Sequence, residues 1–188
     1  KRMAPGEPLV LLGHSMGGLV AARFASLHLR PLDGLVLSSP ALDTGMSAVQ
    51  KLLLATLPRI APNLRVGNGL EVQALSHDPQ VVRAYQADPL CHDRISARLG
   101  RFLAEAGPAT LARAPHWAVP TLLLWAGADR LVRPAGSAAF AAAAPRNMVE
   151  AHCFESLYHE LFNELDAAPV FAALRAWLDA RFPGFARK

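Results

Sequence analysis

The chain has 188 residues, 52% hydrophobic and 18% charged, a globular balance that excludes a disordered or low-complexity protein. The formal net charge of +4 is carried by arginines scattered along the sequence (Arg23, Arg30, Arg59, Arg83, Arg101) rather than clustered, which argues against a nucleic-acid partner. Two cysteines, Cys91 and Cys153, supply neither a disulfide framework nor a CxxC metal motif and suit a reducing, cytoplasmic setting. No apolar run reaches the roughly 18 residues of a membrane span.

The first apolar run, residues 9–12, is continuous rather than alternating, as in a strand buried on both faces of a parallel sheet. It leads into GHSMGG at 13–18, after which Leu19, Val20, Arg23, Phe24 and Leu27 recur at helical spacing. A second run, 35–38, predicts another strand. Between it and the next run lies a long stretch in which the pattern predicts no strand. There Val49, Leu52, Leu53 and Leu57 share a helical face that Pro58 should end. Ile95, Leu99, Phe102, Leu103 and Ala106 share another, which Gly107 and Pro108 should end. Residues 61–63, 66–69 and 77–79 read as turns. Strands are then predicted at 121–125 and 148–154 and helices at 134–144 and 170–182. The last helix presents Val170, Phe171, Leu174, Trp177 and Leu178 on one face. Strands alternating with helices predict an α/β fold with a doubly wound, mainly parallel sheet. Residues 1–42 and 117–188 form its core, and 43–116 a helical insertion between two strands.

Gly13-His14-Ser15-Met16-Gly17 fits G-x-S-x-G between a predicted strand and a predicted helix, the context that a nucleophile elbow requires. Such a turn exposes the Ser15 hydroxyl at the C-terminal edge of the sheet. Gly13 and Gly17 are expected to clear the neighbouring strand and helix, and Gly18 to extend that clearance. The Met16 backbone N–H, at the start of the helix, would face a developing oxyanion. A nucleophilic serine needs a base and the base an orienting carboxylate, in the chain order serine, acid, histidine. Asp129, in GADRLV, and His159, in YHELFNE, each follow a predicted strand, where ligands sit in open α/β sheets. Asp43, after the second strand, is a rival acid. His14 is expected to point away from the serine as a structural hydrogen-bonder, and His152 to pack within its strand. H-E-x-x-H would need a histidine at 163, where Asn163 stands, so no metal site is expected. The glycine-rich turn lacks the lysine of a P-loop and the spacing of a dinucleotide site, so no cofactor is expected either.

GHSMGG, SSPALD, LSHDP with ADPL, WAGADRLV and LYHELFNE together resemble the monoglyceride lipase and lysophospholipase branch of the α/β-hydrolase fold. The resemblance runs over nearly the whole chain. It implies Ser15 as nucleophile, Asp129 as acid and His159 as base, with residues 43–116 a cap over an acyl pocket. The implied reaction is hydrolysis of a single-chain glycerolipid ester, a monoacylglycerol or lysophospholipid, through an acyl-enzyme. The cap leucines Leu52, Leu53 and Leu57 would admit the acyl chain and are compatible with peripheral contact at a membrane. Carboxylesterase, thioesterase and peptidase chemistry fit the same triad, and a catalytically silent scaffold is the remaining alternative. Members of the fold carry strands ahead of the nucleophile strand and a second oxyanion donor there. These residues are therefore expected to be the C-terminal part of a longer hydrolase, with an N-terminal half as partner.

Overall fold

The computed structural model describes residues 6–184, apart from the side chains of Lys51, Pro58 and Arg59. In chain order its elements are β1 (Val10–His14), α1 (Ser15–Ser26), β2 (Gly34–Ser38), α2 (Ala48–Ile60), β3 (Arg65–Gly67), α3 (Pro79–Ala87), β4 (Arg94–Ser96), α4 (Ala97–Leu111), β5 (Thr121–Ala126), α5 (Pro134–Ala143), β6 (Val149–Phe154) and α6 (Ala168–Arg181). The main sheet has the order β1-β2-β5-β6, and every neighbouring pair is parallel. Its strands coincide with the four apolar runs of the sequence to within a residue or two.

The continuous runs have a direct cause in the packing. Successive residues of a strand point to opposite faces. Leu35, Leu37 and Leu123 enter one buried cluster with Leu19, Trp117 and Phe140. Val36, Leu122 and Leu124 enter the other with Leu161, Val170 and Trp177. Both faces of β2 and β5 are thus buried, so neither face can be polar. The outer strands are less covered among the described residues: Leu12 of β1 is 51% exposed and Glu150 of β6 is exposed.

The insertion departs from its sequence reading in four places. Two short strands do form, β3 and β4, paired antiparallel with Val66 opposite Ile95; three residues each are too few to leave a periodic signal. α2 continues two residues past Pro58, and α4 runs through Gly107 and Pro108 to Leu111. In α4 the proline costs one backbone hydrogen bond near the C-terminal end, and tertiary packing holds the helix on. Gly107 lies flush against the Leu42 backbone, and the buried Thr110 hydroxyl donates to the Ala106 carbonyl at 2.7 Å. Finally, the 77–79 turn opens α3. The Asp78 side chain caps the helix by accepting from Gln80 N–H at 2.7 Å, and Pro79 takes the first helical position, where its missing N–H is harmless. Among the described residues no helix is long and apolar enough to cross a membrane.

Candidate active site

Ser15 stands where β1 gives way to α1. Its φ of 53° is left-handed, a conformation a non-glycine residue adopts only when its surroundings impose it. A side chain at Gly13 would come within 2.8 Å of Gly18 Cα, and one at Gly18 within 3.0 Å of Pro40 and the Gly13 carbonyl. Gly17 differs from expectation: a side chain there meets nothing within 4 Å among the described residues. The close approach falls on Gly13 and Gly18 because β1 and the Pro40 turn flank that side of the helix. Met16, 42% exposed, is the second residue of α1, where a backbone N–H has no acceptor within the helix.

The loops after β5 and β6 bring Asp129 and His159 to this serine. Ser15 Oγ–H donates to His159 Nε2 at 2.8 Å. On the far side of the ring, His159 Nδ1–H donates to Asp129 Oδ2 at 2.6 Å. Asp129 Oδ1 accepts from Leu131 N–H at 2.8 Å and Val132 N–H at 3.0 Å, so the carboxylate is locked to its own turn. The His159 and Asp129 side chains are 3% and 1% exposed. This dry, fixed chain of groups can move a proton from a serine hydroxyl to an imidazole and stabilise the resulting cation. The rival acid, Asp43, is used elsewhere: its Oδ1 accepts from Gly45 N–H at 2.9 Å and its carbonyl from Arg133 N–H at 2.8 Å.

His14 does bond structurally, its Nδ1 lying 3.0 Å from Ser38 Oγ, but it does not turn away from the site. Its ring packs at 54° on that of His159, centroids 4.8 Å apart: His14 ends β1, and the loop after β6, at the far side of the sheet, carries His159 back over the same C-terminal edge. Burial, reinforced by the adjacent His159, pushes its pKa down to about 4. His14 is therefore neutral near pH 7 and places no cation beside His159. His152 does not pack inward. It is 41% exposed and meets Glu150 at 2.8 Å, since the outward-facing side of β6 is open. On α2, Leu52 and Leu53 are 67% and 58% exposed and Leu57 is half-buried, so much of this apolar surface faces outward. Burial and Glu155 push the Cys153 thiol up to about 11, and burial also raises Cys91.

Sequence reasoning missed Glu164 and its partner His77. The Glu164 side chain is 1% exposed and accepts hydrogen bonds from three segments. They come from Tyr158 N–H at 2.8 Å, His77 Nδ1–H at 2.9 Å, His77 N–H at 3.2 Å and Leu165 N–H at 3.2 Å. The one trace in the sequence is an acid in the turn LFNEL; nothing local connects it to a histidine 87 positions away.

A parallel sheet bearing a serine at a strained strand–helix turn, with histidine and aspartate from the loops after two later strands, defines an α/β-hydrolase. More narrowly, the profile of the family described as "Serine aminopeptidase, S33" matches residues 1–166, and the chain belongs to that family. It is 33% identical to a protein of Mycolicibacterium smegmatis named monoacylglycerol lipase, over 93% of this chain and 63% of that relative. It is 36% identical to phospholipase YtpA of Bacillus subtilis, over 92% of this chain and 68% of that relative. The chain thus spans about two thirds of the length of these relatives. Among solved structures, the monoacylglycerol lipase of Paleococcus ferrophilus superposes with a TM-score of 0.87 at 34% identity, over 94% of this chain and 70% of that one.

Proposed function

We propose that this protein is a serine hydrolase that cleaves carboxylic esters of single-chain glycerolipids, monoacylglycerols or lysophospholipids, through an acyl-enzyme. The observation that carries the reading is the continuous chain Ser15–His159–Asp129, with contacts of 2.8 and 2.6 Å. Ser15 Oγ attacks the ester carbonyl while His159 Nε2 takes its proton. The imidazolium, oriented and stabilised by Asp129, returns that proton to the leaving alcohol. Water activated by the same imidazole then releases the fatty acid and regenerates Ser15. Met16 N–H donates to the oxyanion of both tetrahedral intermediates, and a second donor would come from outside the described residues. Residues 43–116 act as a cap, with Leu52, Leu53 and Leu57 guiding the acyl chain. The relatives named for monoacylglycerol and phospholipid cleavage support the lipid class.

The test is labelling of the full-length protein with a fluorophosphonate, together with monoacylglycerol hydrolysis. Wild type should label at Ser15 and release fatty acid, and Ser15→Ala should do neither, losing about 10⁶-fold in kcat. Failure of wild type to label would overturn the reading. The family description also favours a second reading, peptide-bond cleavage at an amino terminus. Aminoacyl amides run beside esters of graded chain length distinguish the two. Faster turnover of the amides would replace the lipase reading with the peptidase one.

A further inference from the structure

The turn that carries His159 is gripped from the insertion side. Glu160 N–H donates to the Leu75 carbonyl at 2.8 Å. Ser76 Oγ–H donates to the Asn163 carbonyl at 2.9 Å. The His77 ring stacks on Tyr158, centroids 3.7 Å apart at 23°. Beneath these contacts lies the Glu164 carboxylate, accepting from Tyr158, the residue just before His159, and from both the backbone and the ring of His77.

A carboxylate in such a place is costly unless every lone pair is used. Here burial alone would raise its pKa, but the bonds from Tyr158 and His77 outweigh burial and hold the group below the usual carboxylate range. An amide of the same shape could keep its oxygen on Tyr158 and the His77 ring, through the Oε1 position. Its NH₂ would then face the N–H groups of His77 and Leu165, donor against donor. The site is thus built for an ion. We propose that Glu164 is a positioning residue for His159: by tying the Tyr158 amide to His77 of the insertion, it fixes the imidazole between Asp129 and Ser15. The proposal rests on the reading of His159 as the catalytic base. The insertion then serves the chemistry directly, because its 75–78 segment is one wall of the frame that aims the base.

The experiment compares Glu164→Gln, Glu164→Asp and His77→Ala in the full-length protein, with Val170→Ala in α6 as a control that lowers stability. It reads kcat and KM on a soluble nitrophenyl ester, and the far-downfield proton resonance of His159 Nδ1–H. Displacing a catalytic group by about 1 Å can cost about 100-fold, so a smaller shift should cost roughly tenfold. Glu164→Gln should therefore lower kcat about 10-fold with KM within about twofold of wild type, and should shift or broaden the resonance. Glu164→Asp should recover part of kcat. His77→Ala, a change at a half-exposed side chain, should show a smaller fall in the same direction, and it decides the question if Glu164→Gln does not fold. Wild-type kcat and an unmoved resonance in the folded variants would overturn the proposal. So would an equal loss of kcat in Val170→Ala at a matched Tm. If the wild type neither labels nor turns over ester, the hydrolase reading fails, and the resonance alone still decides whether Glu164 positions His159.

Discussion

The two oxygens of Asp129 have separate tasks, and this makes the residue a sharp probe. Oδ1 is taken by the Leu131 and Val132 amides, and Oδ2 faces His159. In Asp129→Asn the amide oxygen would stay on the two backbone donors, turning the NH₂ toward His159 Nδ1. The imidazole must then carry its proton on Nε2, where it cannot accept from Ser15. The expected result is a fall of about 10⁴-fold in kcat with the fold intact; steady-state kinetics beside circular dichroism check it, and a loss below tenfold would contradict the assigned roles. His14 gives a second prediction, on stability. Its pKa falls from 6.5 unfolded to about 4 folded. Between those pH values the unfolded chain binds a proton that the folded one does not, so stability declines as pH drops from 6.5 toward 4. The full effect is roughly 3 kcal/mol. His14→Asn should flatten this decline. Urea unfolding of both proteins at about pH 7 and about pH 4.5 measures it, and parallel losses in the two would refute the assignment.

At the scale of elements, α4 separates a glycine that the fold needs from one it tolerates. A side chain at Gly107 would overlap the Leu42 backbone, which cannot move aside, whereas one at Gly100 meets Leu54 Cδ2 at 2.8 Å, the tip of a flexible side chain. Gly107→Ala should cost about 1–3 kcal/mol by overpacking. Gly100→Ala should be neutral or slightly stabilising, since alanine gains about 1 kcal/mol of helix propensity. Urea midpoints decide, and equal costs would show that Leu54 of α2 is as unyielding as the Leu42 backbone. This helix also shows why part of the molecule was legible in the sequence and part was not. β2 and β5 announced themselves because burial on both faces forces an unbroken apolar run. Ser15, Asp129 and His159 could be found because the chemistry demands fixed residue types just past strand ends. The passage of α4 through Pro108 could not, since what overrides the proline is the contact of Gly107 with Leu42, 65 positions earlier. The partnership of Glu164 with His77 is of the same long-range kind. β3 and β4 were too short to carry any period, and Asp78-Pro79 was a readable helix start that its turn-like composition disguised.

For the whole molecule, these contacts divide the insertion into a fixed part and a loose one. Phe102, Leu103 and Leu111 of α4 pack into the cluster built on Leu19, Leu37 and Phe140, and the 75–78 segment is tied to the His159 turn. α2 is different. Its caps are its own, Ser47 and Gln50 satisfying each other, and Thr56 turns back on the Leu52 and Leu53 carbonyls. Val49, Leu52, Leu53 and Ile60 are 58–86% exposed, so its hold rests largely on the seam with α4 around Leu54 and Gly100. A segment with few buried apolar contacts opens locally at a free energy below that of global unfolding. Native-state hydrogen exchange should therefore show α2 amides exchanging through a local opening that α4 amides do not share. α4 and the sheet should exchange only near the global limit. Equal protection in α2 and α4 would mean that the insertion moves as one body. If the helices differ as expected, α2 can swing aside without loosening Leu75, Ser76 or His77. Access to Ser15 would then change while the His159 geometry stays fixed.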